Sequence, residues 1–134
     1  MFSTKLEKID HICIAVKDVK KAEELFAGTF DLRAVDHYID EKEKISVARF
    51  MIGEVAFELM ESTSPDGEVA KFIEKNGEGM FLISFKVPDV EGSMEELNKK
   101  GLSLVDKRPR TWRGRNFTFL HPKDFAGVLI ELID

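Results

Sequence analysis

The sequence predicts an α+β fold in which two β-α-β-β-β modules form a curved mixed sheet around a shared cleft. The first observation is an internal repeat: residues 11–19 align with residues 82–90 at an offset of 71, and four of the nine positions are identical. The second is that residues 57–60 align with residues 130–133 at an offset of 73, as small loop insertions would produce. Each copy is therefore expected to contribute one module with the same order of elements.

The first module, about residues 6–62, begins with a strand at residues 6–16 that ends in a nearly continuous apolar run. Asp18 is the predicted N-cap of a helix in which apolar residues recur at helical spacing until Gly28. Strand-like patterns predict three further strands, the last two separated by a turn at Gly53-Glu54: residues 33–40, 45–52 and 55–60.

A loop and a short helix at residues 68–75 join this module to the second one. The second module, about residues 79–134, starts with an apolar strand at residues 80–87, after which Pro88-Asp89 caps a helix. Three strands are predicted after this helix: residues 102–107, 116–121 and 127–133. The whole chain, residues 1–134, is expected to be a single domain built of two repeats, neither of which is stable alone.

The composition narrows the classes of protein to which the chain can belong. With 134 residues, 43% of them hydrophobic, it is long enough for one core and unlike a disordered chain. Its one cysteine, Cys13, excludes a disulfide framework and a cysteine-based zinc site, and fits a reducing, cytoplasmic location. The longest apolar runs are far shorter than the roughly 20 residues that cross a bilayer, so no membrane partner is expected.

The charge is unevenly distributed along the chain. Residues 107–123 contain six basic side chains and no acidic one, whereas the other 117 residues hold 14 basic and 25 acidic side chains. The net charge of −5 argues against nucleic acid as a partner, and the local positive charge favours a small anionic ligand. In residues 107–115, guanidinium groups suit phosphate oxygens and Trp112 could stack on an adenine; the alternative is an exposed hairpin kept soluble by its charge.

Three polar residues interrupt otherwise apolar strands. His11 lies in the first strand, and Glu58 and Glu131 lie at equivalent positions in the last strand of each module. One imidazole and two carboxylates suit a divalent cation with open coordination positions. The alternative is structural, because strand glutamates commonly lie on a solvated face and a single strand histidine is commonly a packing residue.

Five segments carry a family resemblance: Ile9–Val16, Phe57–Pro65, Val69–Gly79, Phe119–Asp124 and Gly127–Leu132. The first resembles the opening of the vicinal oxygen chelate (glyoxalase/bleomycin resistance) superfamily. Together they make the chain similar to the methylmalonyl-CoA epimerases of that superfamily over almost its whole length. The resemblance implies a divalent metal (Co, Mn, Mg or Zn) held by His11, Glu58 and Glu131.

The sequence departs from the epimerase pattern at two places. Leu82 occupies the position of a further ligand, a histidine, and leucine cannot coordinate a metal. The third strand reads Ser46-Val47-Ala48-Arg49, where some family members have a second candidate base. A metal with three protein ligands is still compatible with catalysis, and this donor set would be a harder site that favours Mn²⁺, Co²⁺ or Mg²⁺.

The resemblance therefore implies an epimerase, an isomerase acting at C2 of a 2-acyl-CoA thioester by metal-assisted proton transfer. Glu131 is then the expected proton-transfer group, and Arg113, Arg115 and Lys123 are the expected contacts of the coenzyme A tail. The resemblance also implies a homodimer. The alternatives are a metal-free ligand-binding protein of the same fold, and a lyase or isomerase acting on another small acid.

Overall fold

The computed structural model describes residues 4–134. Within this range the chain forms eight strands and three helices, with a short 3-10 turn at Pro122–Asp124. In chain order the strands and helices are β1 (Lys8–Ala15), α1 (Val19–Phe30), β2 (Asp36–Asp40), β3 (Ile45–Ile52), β4 (Val55–Ser62), α2 (Glu68–Asn76), β5 (Gly79–Lys86), α3 (Val90–Lys99), β6 (Arg110–Trp112), β7 (Arg115–Leu120) and β8 (Ile130–Ile133). No helix in residues 4–134 is long and apolar enough to span a membrane.

The strands are hydrogen-bonded in the order β2-β3-β4-β1-β5-β8-β7-β6. β5 and β8 run parallel, whereas the pairs β2/β3, β3/β4, β6/β7 and β7/β8 run antiparallel, so the sheet is mixed. Each module follows the predicted β-α-β-β-β order, with α2 between the two modules. The predicted α+β class is confirmed.

The chain clusters into two compact units. One comprises Ile12–Phe81, and the other joins the described part of Met1–His11 to Leu82–Asp134. The boundary falls inside β1, which begins in one unit and ends in the other. That the two repeats make one domain over residues 1–134 stays a prediction.

In the unit Ile12–Phe81, α1 packs on β3 and β4. The buried core residues there are Val16, Ala48, Phe50 and Leu59. Asp18 caps α1 as predicted, because its carboxylate accepts a hydrogen bond of 3.1 Å from the Lys21 amide. The helix continues past Gly28, where its end was predicted, because the chain reverses only at Asp31, which adopts a left-handed conformation with φ 53°.

In the other unit, α3 covers one face of β7 and β8. Its residues Val90, Met94 and Leu97 pack with Leu120 and Leu132 in a buried apolar cluster. Successive strand residues point to opposite faces, so the residue before Leu132 points away from α3. That residue is Glu131, so its side chain lies on the face of the sheet opposite α3.

The predicted strands differ most from the structure at three places. Residues 102–107 form no strand and contribute only an isolated bridge between Leu104 and Leu120. The strand lies instead at β6, within the basic residues 107–123. Arg113 (φ 47°) and Gly114 (φ 80°) form a two-residue turn there, which pairs Trp112 with Arg115. β2 and β8 are shorter than predicted at their starts, and β8 begins only after the positive-φ residues Ala126 and Gly127.

Candidate active site

The candidate site is identified by its buried polar side chains. Those in residues 4–134 include Asp10, His11, Asp40, Glu58, Ser84, Ser93, Thr118 and Glu131. The three residues predicted from the sequence as metal ligands are all among them. A carboxylate inside a sheet is costly unless it is paired, so the partners of each one define the site.

His11 lies between two carboxylates. Its Nδ1 atom is 2.7 Å from Oδ2 of Asp10, and its Nε2 atom is 3.2 Å from Oε2 of Glu131. β1 and β8 thus bring together two of the three predicted ligands, which are 120 residues apart in the chain.

Asp10 is held in turn by Arg115. The Arg115 guanidinium donates to Oδ1 and Oδ2 of Asp10 at 2.9 and 3.4 Å, and its Nε donates to the Asp134 carbonyl at 2.9 Å. Burial by itself acts to raise the pKa of Asp10, but the hydrogen bonds and charges of His11 and Arg115 outweigh it and hold that pKa well below its usual range. Asp10 is therefore ionised and accepts a hydrogen bond from the Nδ1–H group of His11.

This arrangement fits a metal ion. With Nδ1 donating to Asp10, a neutral His11 turns the lone pair of Nε2 toward an oxygen of Glu131, and two acceptors repel unless a cation lies between them. Two ligands that each lie about 2.1 Å from one ion are roughly 3.0 to 3.4 Å apart, which agrees with the 3.2 Å between Nε2 and Oε2. A carboxylate on the far nitrogen is also the common partner of a metal-binding histidine.

Glu58 is surrounded by donors of its own unit. Its Oε2 atom accepts from Nη1 of Arg49 at 2.7 Å and from the hydroxyl of Tyr38 at 3.1 Å, and the Cys13 thiol donates to Oε1 at 3.5 Å. The Glu58 side chain is 2% exposed, and Arg49 balances its charge. Burial, followed by the charge of Glu58, raises the pKa of the Tyr38 phenol far above its usual range, so Tyr38 keeps its proton.

Replacing Arg49 with methionine should destabilise the protein, because it leaves the buried Glu58 carboxylate without its counter-charge. Losing one partner of a buried ion pair costs about 3 to 5 kcal/mol. Because the Arg49 side chain is 27% exposed, we expect the low end, about 3 kcal/mol in the free energy of unfolding measured with urea. The double variant with Glu58→Gln should recover most of this loss.

The matched control for this prediction is Arg33→Met, which makes the same change at an exposed position. It should shift the free energy of unfolding by less than about 0.5 kcal/mol. An Arg49→Met protein as stable as this control would show that the pair with Glu58 does not hold the carboxylate in place.

Cys13, the one cysteine of the sequence, is also buried. It lies two residues after His11 on β1, so both side chains point to the same face of the strand. Cys13 and Glu58 are both buried donors of the unit Ile12–Phe81, and their side chains are 3.5 Å apart. The Leu82 side chain is 3% exposed in β5, at the position where the resemblance implies a ligand.

Ser84 is a further polar residue that sequence reasoning missed. It pairs with Glu131 in the parallel register of β5 and β8, and its hydroxyl is buried. Within residues 4–134 this hydroxyl has no hydrogen-bond partner. A polar ligand beside Glu131 would satisfy it.

The three predicted coenzyme A contacts lie in different settings. Arg115 is bound to Asp10, as described above. The Arg113 guanidinium lies over the Trp112 ring, 5.0 Å from its centroid, in the hairpin turn. Lys123 is exposed in the 3-10 turn after His121, whose Nδ1 accepts from the Lys123 amide at 3.2 Å. Contact of these three residues with a ligand stays a prediction.

Comparison with known proteins gives consistent matches. A model of the Glyoxalase/Bleomycin resistance protein/Dioxygenase superfamily matches residues 10–119. The chain is 32% identical over 130 residues to the Bacillus subtilis protein YqjC, covering 96% of this chain and 93% of that one. It is 30% identical over 129 residues to the mitochondrial methylmalonyl-CoA epimerase of Homo sapiens, covering 95% of this chain and 73% of that protein.

A solved structure extends the likeness to the fold. A variant of Streptomyces coelicolor methylmalonyl-CoA epimerase, in complex with 2-nitronate-propionyl-CoA, matches with a TM-score of 0.90 at 34% identity. The match covers 96% of this chain and 97% of that chain. Relatives and structural neighbours at about 30% identity thus include methylmalonyl-CoA epimerases.

Proposed function

Because the chain belongs to the glyoxalase/bleomycin resistance protein/dioxygenase superfamily, we propose that it is an epimerase of the methylmalonyl-CoA type. In this proposal it inverts the configuration at C2 of a 2-acyl-CoA thioester by metal-assisted proton transfer. The observation that carries the proposal is the buried line Asp10–His11–Glu131, in which Nε2 of His11 and Oε2 of Glu131 are 3.2 Å apart.

The metal ligands in this proposal are His11, Glu131 and Glu58. When bound, a divalent ion there supplies Lewis-acid polarisation of the thioester carbonyl. Asp10 and Arg115 fix the ring orientation and tautomer of His11, so that Nε2 presents its lone pair. Leu82 leaves one ligand position without a protein donor, which a water or a substrate oxygen can take.

Glu131 is the proposed proton-transfer group. Its carboxylate takes the C2 proton, and the electron pair of the broken C–H bond stays on the thioester as an enolate. The Glu131 side chain is buried, so the transfer takes place away from bulk water. The hydroxyl of Ser84, opposite Glu131 in the register, is in place to donate to a substrate oxygen.

For the coenzyme A tail we propose Arg113 and Lys123 as phosphate contacts. Arg113 is in the β6–β7 turn and Lys123 is on the exposed 3-10 turn, and both present a positive charge. Arg115, which the sequence also suggested, is assigned instead to Asp10, since three of its donor contacts are made within the protein.

A metal-free binding protein is the second candidate function. The 2.7 Å ion pair between Arg49 and Glu58 favours it, because a guanidinium on a proposed ligand carboxylate lowers the attraction of that carboxylate for a cation. Metal analysis of the purified protein separates the two candidates. A stoichiometric divalent metal contradicts the metal-free alternative.

The epimerase proposal is tested by following the C2 proton of methylmalonyl-CoA in D₂O by NMR. We expect the protein to speed loss of the C2 proton signal and interconversion of the two C2 diastereomers. Absence of exchange with Co²⁺, Mn²⁺, Mg²⁺ and Zn²⁺ alike would contradict the proposal.

A further inference from the structure

A groove outside the candidate active site lies between α3 and residues 102–109. It is a cavity of about 710 Å³ that residues of these two segments line, and both segments belong to the unit that includes Leu82–Asp134. This volume is within the roughly 300 to 1000 Å³ of small-molecule sites. The proposed epimerase function makes no use of the groove.

The floor of the groove is mostly apolar. Met94 of α3 lines it together with Leu102 and Leu104, and all three pack in the apolar cluster beneath α3. The floor is therefore on the α3 face of the sheet, whereas the Glu131 side chain lies on the opposite face. The groove and Glu131 are thus on different faces of the same unit.

The two rims of the groove carry opposite charges. Glu91 and Glu95, one turn apart on α3, form an acidic rim, and Lys107 and Arg108 form a basic rim. All four side chains are exposed. Within residues 4–134 none of these four charged groups forms an ion pair or a side-chain hydrogen bond, so the charges of each rim are available to a ligand.

A third carboxylate lines the groove and is already compensated. Arg110 donates to the two oxygens of Asp106 at 2.8 and 3.1 Å, so Asp106 adds little to the acidic rim. The charges left without a partner among the lining residues are therefore two negative ones on α3 and two positive ones opposite.

These charges decide which class of ligand fits. The acidic rim repels a polyanion such as a coenzyme A tail, and the basic rim repels a molecule that carries only positive charge. An ammonium group has N–H donors for the two carboxylates, and a guanidinium pairs with a carboxylate through two parallel hydrogen bonds. We propose that the groove binds a small zwitterion in which an apolar body joins an ammonium group to a carboxylate, as in a short peptide with free ends.

Lys107 and Arg108 belong to the basic residues 107–123, and neither has a part in the proposed epimerase site. They line the groove on the α3 face instead. The two functions use different residues, so the failure of one leaves the other standing.

The test follows the amide signals of the ¹⁵N-labelled protein by NMR while the dipeptide Leu-Leu is added. The free dipeptide should shift the signals of α3 and of residues 102–109 with a Kd in the millimolar range. N-acetyl-Leu-Leu lacks the ammonium group and Leu-Leu amide lacks the carboxylate. Each should bind about 2- to 5-fold more weakly, which is the effect of one exposed ion pair.

Two double variants assign each charge of the ligand to one rim. Glu91→Gln combined with Glu95→Gln should bind Leu-Leu and its N-acetyl derivative equally, and should still prefer Leu-Leu to its amide. Lys107→Gln combined with Arg108→Gln should show the reverse pattern. The substitutions are at exposed positions, so each should change the free energy of unfolding by less than about 0.5 kcal/mol.

Glu24→Gln and Arg33→Gln are the matched controls, exposed changes in the unit Ile12–Phe81 that should leave all three affinities unchanged. If the acidic-rim double variant does not fold, Glu95→Gln alone decides, because Glu95 lies beyond the first turn of α3; it should reduce the effect of N-acetylation. The inference is overturned if the groove signals do not shift at about 10 mM Leu-Leu, or if either derivative binds as tightly as the free dipeptide. It is also overturned if the rim variants keep the wild-type preferences.

Discussion

Replacing His11 with alanine is expected to lower the affinity for Co²⁺ by at least about 1000-fold and to abolish exchange at C2. Changes to groups that only orient a ligand already cost about 10- to 100-fold in metal affinity, and a lost ligand costs more. The variant also removes the imidazole ring that contacts both Asp10 and Glu131. Equilibrium dialysis gives the affinity, and NMR in D₂O gives the exchange rate.

His37→Ala is the control for this prediction. His37 is 61% exposed and pairs with Glu23, so its loss should change neither the cobalt affinity nor exchange. If His11→Ala binds Co²⁺ as tightly as this control, the Asp10–His11–Glu131 line is not a metal site.

Replacing Leu82 with histidine is expected to increase the affinity for Co²⁺ by at least about 100-fold, because it restores a donor where the sequence has an apolar side chain. The same change places a polar ring at a position that is 3% exposed, so the metal-free variant should unfold at a lower temperature than the wild type. Adding cobalt should reverse that difference, since a ligand that binds only the folded state stabilises it.

The variant Leu82→Phe distinguishes the effect of an added nitrogen donor from the effect of a larger side chain. Phenylalanine brings a similar ring into the same position without a nitrogen, and it should leave the cobalt affinity within a few-fold of the wild type. An affinity of Leu82→His no higher than that of Leu82→Phe would mean that position 82 does not face the metal.

The fold was predictable because the sequence repeats itself. The aligned segments beginning at His11 and Leu82 define the first strand of each module, and the apolar periods that follow place α1 and α3 correctly. The end of α1 was not predictable from Gly28, because a single glycine inside a helix costs only about 1 kcal/mol and packing of Phe30 next to Phe26 continues the helix. The prediction of a strand at residues 102–107 was wrong, because the turn at Arg113-Gly114 makes Arg110–Trp112 the partner strand of β7.

The partners of the candidate ligands were predictable only in part. Arg49 lies opposite Glu58 in the β3–β4 register, and counting outward from the predicted turn at Gly53-Glu54 gives this pair directly. No local pattern predicts that Arg115 binds Asp10, because the two are 105 residues apart and basic residues around Arg115 suggest a phosphate equally well. The cluster of basic residues indicates an anionic partner. Only the three-dimensional fold identifies the partner of Arg115 as the Asp10 carboxylate.

The central claim is that this chain transfers a proton at C2 of an acyl-CoA thioester with the help of one metal ion. The most direct test is to add Co²⁺ stepwise to metal-stripped protein and follow deuterium exchange at C2 of methylmalonyl-CoA by NMR. We predict that the exchange rate rises with cobalt and levels off at one equivalent per chain. Exchange that is absent at every loading, or equally fast in the stripped protein, would contradict the account.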